Sequence, residues 1–439
     1  MSDKLNRRAF LATTTSTLAL PFIPLAGFAA DVDVVIIGAG AAGLSAARMF
    51  MDKGISFRLL EAKKRTGGRA LTDTQTFGKP FDWGCTFLHN AEANPFVDYA
   101  RKHKIAVKRV PADRHSQIWI NQREANTRQY RAIEKRQTLL EKTMSDVAES
   151  ERDISLLKTT ERLPQSAYDK MIGNWLVPGI DSQQASIMDW WNGVEGKDML
   201  CPSGYGTLVQ HFARGIPVEL GVEVNGIDWS GNGVKISTSK GMISANHCIV
   251  TVSNGVLDSG MIEFTPPLKR RQEIVHGIPM ARYTSVGLKF SRSKIIPTPA
   301  NAWLHTLDKN DRHIAWAGNM GGSGVLRANI HGQTAEDLER EGKAALIDHV
   351  MANLKNLLGG DKLPELIKAD AYLWSVDPHV LGTWSVAGPG FGHKRKRLRY
   401  AYGKRVYFAG EACHKDMFTT CHGAMLSGAA TAAKISKTL

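Results

Sequence analysis

A chain of 439 residues can hold two or three domains and bury a large core, and 43% hydrophobic with 22% charged residues is the balance of an ordinary soluble globular protein. Five cysteines (Cys85, Cys201, Cys248, Cys413 and Cys421) are too few and too scattered for a disulfide scaffold, and their odd number leaves at least one thiol free unless it pairs between chains. The net charge of +14 favours anionic surfaces or substrates, yet no recognition motif accompanies it, so no nucleic-acid partner is expected.

The first thirty residues read as an address. Asn6-Arg7-Arg8-Ala9-Phe10-Leu11 leads into a mildly apolar stretch, Leu11 to Leu25, then small residues suited to cleavage near Ala29 or Ala30. Thr13 to Thr17, Pro21 and Pro24 make that stretch too short and too polar to span a bilayer stably. Paired arginines followed by Phe and Leu resemble a twin-arginine (Tat) export signal, which implies passage of folded, cofactor-loaded protein through the Tat machinery to the periplasm. Segment 1–30 carries a net +2, which leaves +12 on the mature chain.

Asp33 to Ile37 is a continuous apolar, β-branched run, the pattern of a buried parallel strand. It enters Gly38-Ala39-Gly40-Ala41-Ala42-Gly43, a helical stretch to about Lys53, and a second strand from Ile55 to Leu60 that ends at Glu61. That order predicts a dinucleotide site. Gly38 permits the tight turn, Gly40 lets backbone approach a pyrophosphate, Gly43 lets helix pack on strand, and the helix N-terminus favours phosphate. Glu61, eighteen residues after Gly43, is placed to accept from adenosine ribose hydroxyls. So far NAD and FAD fit equally. Arg65-Thr66-Gly67-Gly68-Arg69 then supplies a second phosphate-facing turn where a simple NAD domain would continue into helix, which favours FAD.

Further along, Arg131 to Lys158 is charged and free of Gly and Pro, predicting one or two helices. The basic run Lys394-Arg395-Lys396-Arg397 with Arg399 reads as a solvated loop. Val406 to Glu411 is a short apolar strand ending in Gly410-Glu411, and Thr420 to Gly428 opens a small-residue helix whose N-terminus suits an electron-rich flavin edge.

Together these motifs resemble the flavin-containing amine oxidases, the monoamine and polyamine oxidase family. The likeness rests on GAGAAGLSAA, LLEAKKRTGGRA and FDWGCTFLHN, then PSGYGTLVQHFA, VEVNGI, IVTVSNGVL and FTPPL, and finally WSVDPHVLGTWSVAGPG, YFAGEA and HGAMLSG. It implies an α/β fold: a Rossmann-type, glutathione-reductase-like FAD domain (31–110, 201–260 and 386–439) interleaved with an α+β substrate domain containing a mixed sheet (111–200 and 261–385). The helices between would roof the substrate cavity. By position it implies that Gly38, Gly40, Gly43, Glu61, Gly67, Gly68, Arg69, Gly84, Cys85, Val224 (through its backbone, to adenine), Gly410, Glu411 and Cys421 contact FAD.

The same resemblance places Trp384, in Gly382-Thr383-Trp384-Ser385, as an aromatic wall of an amine cage, with a second wall expected near Thr420, where monoamine oxidases carry tyrosine. His89 falls where several polyamine oxidases have a histidine beside the flavin, suited to hydrogen-bonding or deprotonating an amine. Thr383 stands where monoamine oxidases have the cysteine that binds flavin covalently, so non-covalent FAD is expected. Ser285 stands where many members have a lysine that holds water against the flavin, and Lys289, four residues on, is too far to replace it. Oxygen would then be a poor acceptor, and a periplasmic electron carrier becomes credible. Cys413-His414 and Cys421-His422 do not have a zinc spacing, so no metal is expected. The activity implied is oxidation of a small-molecule amine to an imine and then an aldehyde, with hydrogen peroxide if O2 is the acceptor. A C–C desaturase or oxidase of the same fold, and a non-catalytic flavin-binding subunit, remain open.

Overall fold

The computed structural model describes residues 30–110, 117–194, 196–296, 300–307, 313–360 and 363–439. The expected export signal lies outside the described residues. No helix among them is long and apolar enough to cross a membrane.

Two sheets organise the chain. In the first, the strand Val32–Ile37 runs parallel to both Phe57–Glu61 and Gly241–Val250, and Val406–Phe408 joins parallel to Gly241–Val250. Val34, Val35 and Ile36 are fully buried, as a strand covered on both faces requires. An antiparallel extension follows through Val234–Thr238 to Val224–Asp228. The helix Ala41–Lys53 stops at Gly54 in the left-handed conformation and lies on the C-terminal helix Cys421–Ile435. The two backbones meet at Gly428, where a Cβ would come 2.0 Å from the Ala42 carbonyl oxygen.

The second sheet orders Leu366–Ala371, Tyr283–Phe290, Leu326–His331, His313–Gly318, Trp303–Leu307, Gln117–Ile120 and Arg123–Glu124. Its pairs are antiparallel except Trp303–Leu307 with Gln117–Ile120, so the sheet is mixed. Alternation decides its faces. Val286, Leu288 and Phe290 join Leu326, Ala328 and Ile330 in one core, which sends Tyr283, Ser285, Arg327 and Asn329 to the other face.

The charged stretch forms the helix Thr127–Glu149, opened by a reciprocal cap between Asn126 and Gln129, and the short helix Leu156–Thr160. Met144 and Ala148 pack with Ile180, Ile187 and the flank of Trp384. The long helix does not line the large cleft, where Pro178 stands instead. It buttresses the cavity wall from behind, which corrects its expected place as a roof.

The basic run is also corrected. Gly392–Arg399 is a 3₁₀-helical segment whose Lys396, Arg397 and Arg399 are exposed, but Arg395 is buried. Both Asp189 carboxylate oxygens accept from its guanidinium at 2.7 Å, and the guanidinium lies 4.1 Å from the Phe418 ring centre. Composition hid this, because a buried arginine and a solvated one look alike in a run of cations.

Candidate active site

A cleft of about 610 Å³ runs between the two sheets, within the usual range for a ligand site. Its wall carries Gly38, Gly40, Glu61, Gly67, Gly68, Arg69, Gly84, Cys85, Val224, Gly410, Glu411 and Cys421, together with His89, Tyr283, Ser285, Trp303, Arg327, Trp384 and Thr420. Gly43 alone of the residues expected at the cofactor is not on the wall. Its Cβ would fall 1.9 Å from the Gly38 carbonyl oxygen, so it acts by letting helix meet turn.

The glycine turns form the cradle. Ala39 accepts from the Gly67 N–H at 2.9 Å, and a Cβ on Gly68 would approach the Gly40 Cα to 3.3 Å, so two bare backbone turns face the cleft. The N-termini of Ala41–Lys53 and Cys421–Ile435 both open onto it, bringing two partial positive charges to one groove. Glu61 is buried; one oxygen accepts from Ala39 N at 2.8 Å and the other from Lys63 N at 2.9 Å. The carboxylate thus holds the first turn closed and keeps further lone pairs toward the groove. A phosphate-bearing dinucleotide fits this donor set, and the wall beyond it is apolar enough for a ring system.

Glu411 lines the cleft with its carboxylate enclosed by protein donors. Its carboxylate accepts from Arg69 Nη1 at 2.9 Å, Ser385 N at 3.1 Å, Ser385 Oγ at 2.7 Å and Thr419 N at 3.1 Å. Burial alone would raise its pKa, but Arg69, Ser385 and Arg395 hold it below the ordinary value. Arg395 also donates to Ser385 Oγ at 2.7 Å. Asp189, Arg395, Ser385, Glu411 and Arg69 therefore make one buried chain that ties the Trp384 segment to the glycine cradle.

Trp384 stands opposite a second aromatic, Tyr283, with ring centres 5.1 Å apart. The two rings pack on each other, too close to admit a group between them, so they form one aromatic patch rather than two facing walls, and Tyr283 is a residue the sequence reading missed. The signal was period-two alternation, which puts Tyr283 on the same face as Ser285. Thr420 is the N-cap of the last helix: its hydroxyl accepts from Gly423 N at 3.0 Å and donates to Met417 O at 2.7 Å. That leaves its hydroxyl occupied by structure. His89 is half exposed, and its Nδ1 lies 3.0 Å from Asp198. Lys289 donates to Phe77 O at 2.7 Å and does not reach the cleft wall.

All five cysteines are free. Cys85 and Cys421 touch; the hydrogen bond between them pulls the Cys85 thiol down and pushes the Cys421 thiol up. Cys413 donates to Leu398 O at 3.3 Å, and His414 Nδ1 accepts from Met417 N at 3.0 Å. Among the described residues no three metal-ligating side chains converge.

Comparison with known proteins agrees with this geometry. The family model for flavin containing amine oxidoreductases matches residues 41–182 and 181–436. The chain belongs to that family, whose flavin chemistry makes it an oxidoreductase of amines. It is similar to Polyamine oxidase 4 of Oryza sativa subsp. japonica, at 27% identity over 93% of this chain and 89% of that protein. It is also similar to Lysine-specific histone demethylase 2 of Homo sapiens, at 26% identity over 92% of this chain and 53% of that protein, and to Protein FLOWERING LOCUS D of Arabidopsis thaliana, at 27% over 92% and 55%. The chain spans about nine-tenths of the polyamine oxidase and about half of the other two.

Proposed function

We propose that this protein is a periplasmic, FAD-dependent amine oxidase or dehydrogenase, exported folded by the twin-arginine route. The observation that carries the reading is the Tyr283–Trp384 pair, set in the same cleft as the glycine cradle and two helix N-termini. FAD bound in that cradle supplies a two-electron acceptor for the hydride of an amine α-carbon. The chain's own part is placement. The faces of Trp384 and Tyr283 attract and align the amine and exclude water. Burial raises the Tyr283 phenol, so it stays neutral. Asp198 fixes His89 Nδ1 as a donor, leaving Nε2 to take the ammonium proton near the cleft mouth.

Thr383 donates its hydroxyl to Ala281 O at 2.8 Å and cannot form a thioether, which supports dissociable FAD. Ser285 donates to Asn329 Oδ1 at 2.7 Å, a neutral hydroxyl where family likeness sets a lysine, which supports an electron acceptor other than O2. The experiment is anaerobic mixing of the flavin-loaded protein with a panel of amines. Bleaching of the flavin absorbance is expected, and a flavin that stays oxidised with every amine refutes the reading. Mixing the reduced protein with O2 tests the acceptor, and rapid reoxidation removes the dehydrogenase half.

A further inference from the structure

Arg327 is an anomaly at the substrate end of the cleft. It is only 5% exposed, yet lines the cavity. Its register partners are Gly287 on one side and Ala317 on the other, so no cross-strand carboxylate faces it. The guanidinium lies 4.4 Å from the Phe81 ring centre, donates to the Asp82 carbonyl and to Ser285 Oγ at 3.3 Å, and leaves Nε buried without a partner. Nε is sealed off, so an acceptor entering the cleft can meet the guanidinium only through its terminal N–H groups.

Charge pairing around the cleft sharpens this. Lys63 pairs with Asp377 and Arg69 with Glu411. Among the described residues no carboxylate forms a salt bridge with Arg327. Asp82 acts on it through space, but its carboxyl is turned to Thr72 and to the N–H groups of Tyr205 and Gly206. The wall's acids are otherwise engaged. Glu61 holds the first turn, Glu411 is enclosed by its network, and Glu223 sits 3.5 Å from His379. At Arg327 itself an anion would find a desolvated guanidinium with no carboxylate bound to it.

We propose that Arg327 binds a carboxylate on the substrate, so that the amine oxidised is of the amino-acid class rather than a polyamine. This rests on the amine-oxidation reading above. Ser285 and Asn329 hold the fork: Ser285 Oγ accepts from Arg327 and donates onward to Asn329, a relay that fixes the guanidinium plane. With the carboxylate on Arg327 and the amine against the packed Tyr283–Trp384 pair, bound FAD would accept the α-C–H as hydride while the amine loses a proton. Water then hydrolyses the imino acid to a 2-oxo acid and ammonium.

The test uses matched pairs on the flavin-loaded full chain without oxygen: L-phenylalanine with phenethylamine, L-leucine with isoamylamine, L-lysine with cadaverine, and L-ornithine with putrescine. At least one amino acid is expected to reduce the flavin about tenfold or more efficiently than its decarboxylated partner, with the advantage erased in Arg327→Met and partly restored in Arg327→Lys. Benzoate titrated into the unaltered protein is expected to shift the flavin spectrum saturably and to compete with the amino acid, a readout independent of any variant's folding. Preference for the amines in all four pairs, or an advantage unchanged in Arg327→Met, overturns the carboxylate assignment alone. No bleaching by either member of any pair overturns the amine reading and this assignment with it.

Discussion

Asp189→Asn is the sharpest probe of the buried chain behind the cofactor cradle. The Asp189 and Arg395 side chains are 5% and 4% exposed, and the pairing is bidentate at 2.7 Å. At an effective dielectric of about 20 and a charge separation of about 4 Å, the Coulomb attraction is about 4 kcal/mol. Removing one partner strands the other charge, which in comparable sites costs about 3–5 kcal/mol. Asp189→Asn should therefore lower the urea midpoint of unfolding by an amount equivalent to about 3–5 kcal/mol, followed by circular dichroism and flavin fluorescence. Because Arg395 also steadies Ser385 and Glu411, FAD affinity should fall in the same variant. The double change Asp189→Leu with Arg395→Met should cost less than the sum of its parts by at least about 1 kcal/mol. A single variant within about 1 kcal/mol of the parent, or strict additivity, would refute the claim that the five residues act as one network.

Gly43→Ala should yield protein with little bound FAD, read from the 450 nm to 280 nm absorbance ratio, because the new methyl meets the Gly38 carbonyl at 1.9 Å. Acid precipitation of the unaltered protein should release all yellow colour into the supernatant, as expected for a cofactor without a covalent link. Thr420→Ala should lose about 1 kcal/mol of stability through the missing cap while amine-driven flavin reduction stays within about twofold, measured by stopped flow. Burial raises the Asp82 carboxyl from 3.8 to about 6, so the folded chain holds that proton more tightly than the unfolded chain. Stability from this group is then full below about pH 4 and falls by about 3 kcal/mol as pH rises to about 6; Asp82→Asn should flatten that window in unfolding titrations.

The cofactor end was legible because backbone chemistry writes itself into glycine spacing: a turn that must admit a phosphate excludes side chains at Gly40, Gly67 and Gly68. The substrate end was less so. Trp384 was readable from its neighbours in the chain, but Tyr283 and Arg327 matter only through register, and register is set by contacts between distant strands. The segment Leu326–His331 alternates apolar and polar residues, a pattern that announces a strand with one polar face. Alternation normally sends that face to water; here the Phe77 to Asp82 segment covers it, and no local signal tells the two cases apart. Arg395 failed to stand out for the same reason, since its partner Asp189 lies 206 residues away.

Synthesis order gives the closing strand a further meaning. Val406–Phe408 docks beside Cys248–Val250 and the helix Cys421–Ile435 beside Ala41–Lys53, so the groove lacks one wall until residue 435 has left the ribosome. Until then Cys248–Val250 presents an unpaired edge and Ala41–Lys53 an uncovered apolar flank, both inviting wrong partners. Shielding of the nascent chain would have to last until that helix emerges, and a premature stop between Val406 and Cys421 should give an insoluble, colourless product rather than a weakened enzyme.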